Sequence, residues 1–356
     1  MKSWDVIVVG AGIIGLSLAI ELRKPGASVL VVDKGEPGHE ASRAAGGMLA
    51  DCGDEMPVVL EKLAAASARM YPEFILELQD ESGVNVDLRS EGTLLVFSSS
   101  GPPEKIRRAS PLPAPWNELE PGLAVCGRHA VFLPERSVCP RHLTEAALRA
   151  ARHRGVDIVS GAAVRSVNLS EGRTAGVSTE KTSYHAPKVV NCAGAWAGQI
   201  PPVPLPTRPV KGQMVCLAMP SRNLLRHVVR SPEIYLIPRS DGRLLAGATI
   251  EEAGFDKRTV PETILRFQNA AIALLPALKR ARVLEAWAGL RPGTPDGLPI
   301  LGATQIPGYY VAAGHFRDGI LFAPITAKLM AQVLTGANPE YDIKPFALER
   351  FALQAA

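Results

Sequence analysis

Hydrophobic and glycine residues follow a definite order over the first forty residues of the chain. An apolar run at 5–9 leads into Gly10-Ala-Gly-Ile-Ile-Gly15, and an alanine- and leucine-bearing stretch with helical spacing follows it. A second apolar run, 28–32, ends on Asp33. Short apolar runs on either side of a helical stretch predict a strand–helix–strand unit with buried strands.

The glycines of this turn fit a dinucleotide site. Gly10 permits the tight turn after the strand, Gly12 lets backbone N–H groups approach a diphosphate, and Gly15 lets the helix pack closely on the sheet. The diphosphate would lie at the positive end of the helix, and Asp33 would accept the ribose hydroxyls of an adenosine. An acidic residue at 33 disfavours the 2′-phosphate of NADP, and a purely structural unit is the alternative. Neighbouring positions predicted to contact the same cofactor are Ile13, Ile14 and Lys34.

The segment 38–49 favours FAD over NAD. It is rich in Gly, Ala and Ser, where an NAD domain would continue into another strand and helix. Small residues let backbone approach a bulky flat ligand and offer further N–H donors. An alanine-rich helix start is the alternative, but it leaves the Gly46-Gly47 pair unexplained because paired glycines weaken a helix. The predicted cofactor contacts here are Ser42, Gly46, Gly47 and Met48.

Hydrophobic patterning divides the rest of the chain into two kinds of segment. A strand from Lys188 ends in small residues, which places Ala193, Gly194 and Trp196 near the cofactor, and Val164 is expected to face the adenine. Segments such as 89–97, 213–218 and 243–248 alternate as half-buried strands do, which predicts a largely antiparallel sheet. We therefore predict an α/β fold with a discontinuous cofactor domain (1–80, 140–200 and 290–356) and a substrate domain (81–139 and 201–289).

The last periodic apolar segment, 318–334, predicts a helix with Pro324 inside its first turns. The residues before it, Gly314-His-Phe-Arg317, would leave N–H groups pointing at whatever lies at the helix N-terminus. An ordinary buried C-terminal helix would explain the apolar face but not the sequence Gly-His-Phe-Arg-Asp-Gly.

Composition narrows the function classes. The chain has 356 residues, 47% of them hydrophobic, which is enough for a large core in two domains. A net charge of +4 without a dense basic run makes nucleic acid an unexpected partner. Five scattered cysteines without a CxxC pair fit a reducing cytoplasm better than a disulfide framework or a zinc site, and no metal is expected. No run approaches the roughly 18–20 apolar residues of a membrane span, so a cytoplasmic protein is expected.

Four blocks together are similar to the D-amino acid oxidase and glycine oxidase family of flavoproteins, most closely to its glycine oxidase branch, which serves thiamine biosynthesis. The likeness runs from end to end and is weakest around 98–128. The Trp-Ala-Gly-Leu-Arg-Pro and Gly-His-Phe-Arg-Asp-Gly motifs are far more restrictive than the nucleotide turn, which many flavoproteins share. The blocks are 6–48, 209–214, 235–239 through 247–249, and 287–297 joined to 313–321.

This resemblance implies a glutathione-reductase-like FAD fold of the D-amino acid oxidase type and assigns roles to residues. Arg291 matches the family arginine that holds the substrate carboxylate, which a guanidinium grips with two parallel hydrogen bonds. Tyr235 matches a tyrosine near the same carboxylate, and Arg317 an arginine at the flavin and substrate edge. Met48 and Ile250 are expected to line the substrate pocket; a relative carries methionine where Ile250 stands. The helix preceded by Gly314 and His315 would face the C2 carbonyl edge of the flavin, with Asp318, Gly319 and Ile320 close by.

The implied activity is oxidation of glycine, sarcosine and small D-amino acids, with oxygen reduced to hydrogen peroxide. Some amine oxidases of the superfamily bind flavin covalently through a cysteine near the position of Arg291; the loop 291–297 has none, so FAD is expected to be noncovalent. Relatives imply a homo-oligomer, a tetramer.

Two alternative functions stay open: a dehydrogenase of D-proline-like substrates with a quinone or protein acceptor, and a noncatalytic FAD-binding subunit. Arg239, followed by Asp241-Gly242, is interpreted as a turn residue.

Overall fold

The computed structural model describes residues 2–52, 56–97, 106, 109–124 and 127–354. In these ranges the α-helices are α1 (Ile13–Arg23), α2 (Ala41–Ala44), α3 (Glu61–Ser82), α4 (Trp116–Leu119), α5 (Pro140–His153), α6 (Pro261–Leu274) and α7 (Ala323–Thr335). Short 3-10 helices span Val58–Leu60, Gly194–Gln199, Pro276–Arg280, Lys344–Phe346 and Leu348–Gln354. The strands are β1 (Val6–Val9), β2 (Val29–Val32), β3 (Met48–Leu49), β4 (Leu88–Arg89), β5 (Thr93–Phe97), β6 (His129–Leu133), β7 (Arg136–Val138), β8 (Asp157–Val159), β9 (Val164–Ser170), β10 (Arg173–Thr179), β11 (Ser183–His185), β12 (Lys188–Asn191), β13 (Arg208–Ala218), β14 (Val228–Arg230), β15 (Tyr235–Pro238), β16 (Arg243–Gly247), β17 (Arg282–Gly293), β18 (Ile300–Ala303) and β19 (Tyr309–Ala313).

One sheet, the parallel sheet, has the strand order β18-β19-β12-β1-β2-β8. Its strands run parallel except for β18, which pairs antiparallel with β19. The residues of β1 alternate between two cores: Val6 and Val8 pack with α1, α3, α5 and α7, while Ile7 and Val9 pack with residues of β9 and β10. Both faces of the sheet are thus covered, which explains why β1 and β2 consist of apolar residues only.

The second large sheet, the antiparallel sheet, has the order β17-β13-β16-β15-β14-β5-β6. Only the β14–β5 pair in it runs parallel. One face packs on α6, and the other carries an apolar cluster with Met214, Ile237, Tyr235 and Trp287. The predicted fold class, a Rossmann-type α/β sheet combined with a largely antiparallel sheet, is therefore confirmed.

Contacts from the antiparallel sheet hold the segment around α2. The indole of Trp287 donates a hydrogen bond to the Ala44 carbonyl (3.0 Å), and the guanidinium of Arg239 donates to the Gly46 carbonyl. Gly289 lets β17 lie against Ala44, since a Cβ there would lie 2.4 Å from the Ala44 Cβ. These contacts tie the glycine-rich segment after β2 to the second sheet.

The structure corrects one predicted element. The last helix begins at Ala323, not Asp318, and Pro324 stands at its start, where the missing N–H costs nothing. Residues 316–322 form turns instead, closed by hydrogen bonds such as Phe322 N–H to the Asp318 carbonyl (2.8 Å).

The division of the chain into two domains stays a prediction. Across the described ranges, no helix is both long and apolar enough to cross a membrane.

Candidate active site

A cavity of about 690 Å³ extends from the carboxyl ends of β1, β2 and β12 to the face of the antiparallel sheet that carries Tyr235. Ligand sites have volumes of roughly 300–1,000 Å³. Of the residues predicted to bind cofactor or substrate, all line this cavity except Gly15 and Gly314. Both of these glycines support the walls: a Cβ on Gly15 would lie 2.0 Å from the Gly10 carbonyl oxygen, and one on Gly314 2.6 Å from the Thr294 methyl carbon.

The turn between β1 and α1 lines one end of the cavity. Gly10 has φ +105° and touches the strand next to it, since a Cβ there would lie 2.5 Å from the Cys192 carbonyl oxygen. Gly12 caps α1, and the first turn of that helix contains no acidic side chain. The Ser42 hydroxyl accepts the N–H of Ile13 at 3.0 Å. The first turn of α1 therefore adds no carboxylate of its own, and the positive end of the helix suits an anionic group.

Asp33, directly after β2, lines the same end of the cavity. Its Oδ2 accepts the N–H of Ala11 (2.7 Å) and its Oδ1 the N–H of Gly35 (2.8 Å). Each carboxylate oxygen has a further lone pair for a hydroxyl donor. The geometry can thus hold a ribose while it fixes the turn.

Lys34 and Trp196 form one wall of this end. The Lys34 ammonium lies 3.1 Å from the centre of the Trp196 ring, and the ring packs in turn on Phe255 at 5.2 Å. Burial lowers the pKa of Lys34, against the opposing effect of Glu40. Val164, at the start of β9, lines the cavity as predicted for an adenine contact.

The segment after α2 brings bare backbone into the middle of the cavity. Gly47 has φ +78°, and a Cβ there would lie 2.1 Å from the Val138 carbonyl oxygen. Arg239, only 2% exposed, donates to the Gly46 carbonyl, and its Nη1 has no partner in the described part of the chain. The interpretation of Arg239 as a turn residue was therefore incomplete: it begins the hairpin, but its buried side chain positions Gly46.

The loop before α7 closes another side of the cavity. Phe316 adopts φ +48° and donates its N–H to the Pro292 carbonyl (2.9 Å), which joins this loop to the end of β17. His315 is buried and its Nε2 lies 3.1 Å from the Thr326 hydroxyl. Burial lowers the pKa of His315 to about 4, so the imidazole is neutral near pH 7. Asp318, Gly319 and Ile320 follow it along the cavity wall.

Arg291 is held from behind by backbone carbonyls. Its Nη1 donates to the Thr249 carbonyl (2.9 Å) and lies 3.4 Å from that of Lys211. Burial lowers the pKa of the guanidinium, the phenol of Tyr235 raises it, and the charge of Arg317 lowers it further. Arg291, Tyr235 and Arg317 are thus neighbours at the cavity wall, and the excess positive charge suits an anionic ligand.

Sequence reasoning missed two residues beside this group. Gly212 on β13 leaves the space that the Arg291 guanidinium occupies, since a Cβ there would lie 2.2 Å from Nη1. Arg230 on β14 also lines the cavity, directly opposite Tyr235 across the β14–β15 pair. Both positions become visible only when strand register is known; the one sequence signal was a charged residue ending the apolar run Val228-Val229.

The donors and the shape of this cavity fit FAD. One continuous cavity joins the positive end of α1 and Asp33 to the bare backbone at Gly46 and then to Arg291. Asp33 would hold the ribose, the N–H groups at the start of α1 the diphosphate, and the Gly46–Gly47 backbone would lie against the ring. Among the residues that the structure describes, no group of His, Cys, Asp and Glu could hold a metal ion.

Comparison with known proteins agrees with this fit. The chain is 33% identical to a glycine oxidase of Pseudomonas aeruginosa over 96% of its own length and 98% of the relative's. It is 32% identical to a bifunctional protein ThiO/ThiG of Trichormus variabilis; there 99% of the chain spans only 56% of the relative. A hydrogen cyanide synthase subunit HcnC of Pseudomonas aeruginosa is 31% identical over 100% of the chain and 98% of the relative. The crystal structure of glycine oxidase from Geobacillus kaustophilus superposes with a TM-score of 0.90 at 29% identity, covering 98% of this chain and 99% of that one.

A dinucleotide-binding unit that opens onto an arginine-lined pocket defines a flavin-dependent oxidoreductase as the class of protein. The family model described as FAD dependent oxidoreductase matches residues 5–333. The chain belongs to this family, and the resemblance drawn from its sequence motifs is confirmed, as is FAD as its cofactor.

Proposed function

We propose that the protein oxidises glycine, sarcosine and small D-amino acids, with oxygen as the electron acceptor. The observation that carries the proposal is Arg291, whose guanidinium is fixed by the Thr249 carbonyl at the cavity wall beside Tyr235. A fixed guanidinium grips a carboxylate in two-pronged geometry and thereby orients the Cα–H bond of a small amino acid. The glycine oxidases among the relatives support the same substrate class.

The side chains bind and orient the substrate, and FAD supplies the redox chemistry. Bound FAD would supply a two-electron acceptor for the Cα hydride and, with oxygen as the final acceptor, a route to hydrogen peroxide. The amine is neutral when the hydride leaves, and the product imine is hydrolysed to a 2-oxo acid and ammonia, or methylamine from sarcosine. Arg291 and the Tyr235 hydroxyl hold the carboxylate, Arg317 closes the same edge, and Met48 and Ile250 bound the space for the substrate.

His315 lines the cavity as a neutral side chain. Burial, which lowers its pKa to about 4, keeps the imidazole uncharged near pH 7 beside the loop 316–320. Residues 316–320 line the cavity, so the backbone of this loop, rather than the first turn of α7, would face the C2 edge of the flavin that the resemblance implies. A neutral His315 leaves stabilisation of charge at that edge to backbone dipoles and Arg317.

A role in supplying the imine for the thiazole ring of thiamine extends the proposal, and it rests on the resemblance to the glycine oxidase branch and on the bifunctional relatives. We also propose a cytoplasmic homo-oligomer, a tetramer by the same resemblance.

Anaerobic mixing of the yellow holoprotein with glycine tests the proposal. An oxidase bleaches with glycine and regains its colour with stoichiometric peroxide when oxygen is admitted. Bleaching without oxygen-dependent recovery would identify the dehydrogenase alternative, and no bleaching by glycine, sarcosine or D-alanine would favour a noncatalytic FAD-binding subunit. Arg291→Ala, which should keep its FAD and lose the bleaching by glycine, shows whether the bleaching depends on this site.

A further inference from the structure

A second guanidinium, that of Arg230, faces the proposed substrate end of the cavity. Its side chain is 12% exposed and lines the cavity that also contains Tyr235 and Arg291. Arg230 and Tyr235 are directly paired residues on β14 and β15. Directly paired residues lie on the same face of a sheet with Cβ atoms about 4.5–5.5 Å apart. The two side chains therefore leave the sheet side by side on the face that bounds the cavity.

The residues that the structure describes satisfy this guanidinium only in part. In the described part of the chain its hydrogen bonds come from Nη1 alone, which lies 3.5 Å from both Glu135 carboxylate oxygens. Those distances are at the outer limit of a hydrogen bond, and a close ion pair has N–O distances of about 2.7–2.9 Å. Nε and Nη2 add further donors in the fixed fork of the guanidinium.

The Glu135 carboxylate is buried and also accepts a hydrogen bond from the backbone. Its side chain is 1% exposed, and its Oε1 also accepts the N–H of Cys52 at 3.3 Å. Burial raises the pKa of the Glu135 carboxyl, against the opposing charge of Arg230. A buried carboxylate shared in this way holds Arg230 in place without closing off the face that Arg230 turns to the cavity.

We propose that Arg230 binds a second acidic group of the substrate, so that the preferred substrates are amino acids with two acidic groups. The proposal rests on the proposed function: Arg291 holds the α-carboxylate, and Arg230 receives a carboxylate carried either on the amine or on the Cα side chain. A substrate that offers only hydrogen or methyl there adds no partner to a guanidinium that is 12% exposed and that the described residues satisfy only in part. The second carboxylate of a diacid would instead accept charge-assisted hydrogen bonds from the remaining N–H donors of Arg230.

Two matched substrate pairs test the proposal on the holoenzyme. Iminodiacetate and sarcosine differ by one carboxylate on the amine substituent, and D-aspartate and D-alanine by one carboxylate on the side chain. We expect kcat/KM to favour the diacid in one of these pairs, and which pair does so shows where Arg230 receives the group. The same ratio in Arg230→Met should fall about 10–100-fold, equivalent to ~1.4–2.7 kcal/mol. Because both substrates are assayed with the same preparation, this diacid-to-monoacid ratio of kcat/KM does not depend on the fraction of active enzyme.

Control variants separate recognition from folding. Arg128→Met removes a guanidinium that pairs with Glu233 at 3.3 Å outside the cavity, and it should leave the diacid-to-monoacid ratio as it is. Arg230→Met combined with Glu135→Gln removes both charges of the buried pair, so it avoids an unpaired carboxylate if the single variant does not fold. The double variant should show the same low ratio.

Calorimetric binding of succinate and butyrate to the holoprotein gives a readout that needs no turnover. Succinate should bind at least tenfold more tightly than butyrate, and Arg230→Met should remove the difference. The proposal is overturned if the wild type shows equal kcat/KM and equal affinity for monoacids and diacids. It is also overturned if the diacid-to-monoacid ratio is unchanged in Arg230→Met. If sarcosine and D-alanine are oxidised while diacids gain nothing, only the role of Arg230 fails; if no amino acid reduces the flavin, the proposed function fails and the calorimetry still decides on Arg230.

Discussion

Gly212→Ala tests whether the substrate anchor depends on a residue without a side chain. The backbone of Gly212 lies outside the left-handed region, so alanine can adopt its conformation. Its new Cβ, however, would lie 2.2 Å from Nη1, 2.4 Å from Nη2 and 2.5 Å from Cζ of Arg291. Non-bonded heavy atoms pack at about 3.5–4.0 Å. The guanidinium must therefore move by roughly 1.3 Å or more, from 2.2 Å to about 3.5 Å at the closest atom.

The effect of such a displacement on the reaction rate has a known order of magnitude. A misplacement of about 1 Å in a reacting complex can cost ~10²-fold in rate. We therefore expect Gly212→Ala to lower kcat/KM for glycine about 100-fold, equivalent to ~2.7 kcal/mol. FAD content should be retained, because neither Asp33 nor the turn at Gly10–Gly15 is changed. The assay is oxygen consumption with glycine, normalised to the bound flavin measured by its absorbance.

A double-mutant cycle supplies the control. If Gly212→Ala acts only by moving Arg291, then adding it to Arg291→Ala should cause no further loss. Two losses that multiply would show that Gly212 acts by another route. A Gly212→Ala enzyme with nearly normal kcat/KM would refute the reasoning, since it would mean that the guanidinium has no fixed productive position.

Four further predictions follow from other parts of the site. Arg291→Ala should lower kcat/KM for glycine by roughly two to four orders of magnitude, since breaking a buried ion pair costs ~3–5 kcal/mol; Arg291→Lys should recover only part of the loss, and near-normal oxidation by Arg291→Ala would move the anchor to Arg317. Asp33→Ala should weaken FAD binding by about 1.5–3 kcal/mol, measured by flavin retained on dialysis, and full retention would place the ribose elsewhere. Denaturation with acid should release all flavin as FAD, because the loop 291–297 contains no cysteine; yellow precipitate would contradict this. His315, with its pKa lowered to about 4, stays neutral in the folded protein while the unfolded chain protonates near pH 6.5, so stability should fall as pH drops from about 6.5 to 4, by ~3 kcal/mol at most. Urea unfolding of wild type and His315→Gln at pH 7 and 5 checks this, and an equal pH dependence in both proteins would rule out His315 as its source.

The cofactor end could be predicted from the sequence because its geometry is local. The strand, turn, helix and Asp33 follow one another within about thirty residues, so their spacing alone brings them together. The glycines at 10 and 15 proved to touch neighbouring backbone, as a tight turn and close helix packing require.

The substrate end depends on contacts that spacing does not reveal. Gly212 and Arg291 are brought together by the pairing of β13 with β17, and Arg230 and Tyr235 by that of β14 with β15. A one-residue change of register would turn each side chain to the other face of its sheet. The likeness to known flavoproteins supplied Arg291 and Tyr235, but Gly212 and Arg230 needed the folded chain. The predicted start of the last helix at Asp318 is wrong because proline favours the first positions of a helix, and Pro324 stands there in α7.

The hydrogen bonds from Trp287 and Arg239 to the carbonyls of Ala44 and Gly46 have a consequence for assembly of the holoprotein. The backbone expected to lie against the flavin is held from two sides: Ala44 and Gly46 by the antiparallel sheet, and Gly47 by the N–H of Val138 on β7 (2.8 Å). Because both sheets contribute to this backbone, we expect FAD to be captured late in folding, once the two sheets are in contact. By mass action, free FAD in turn stabilises the docked arrangement. We therefore expect the protein without FAD to be cleaved by proteases more readily than the holoprotein at the segment after α2.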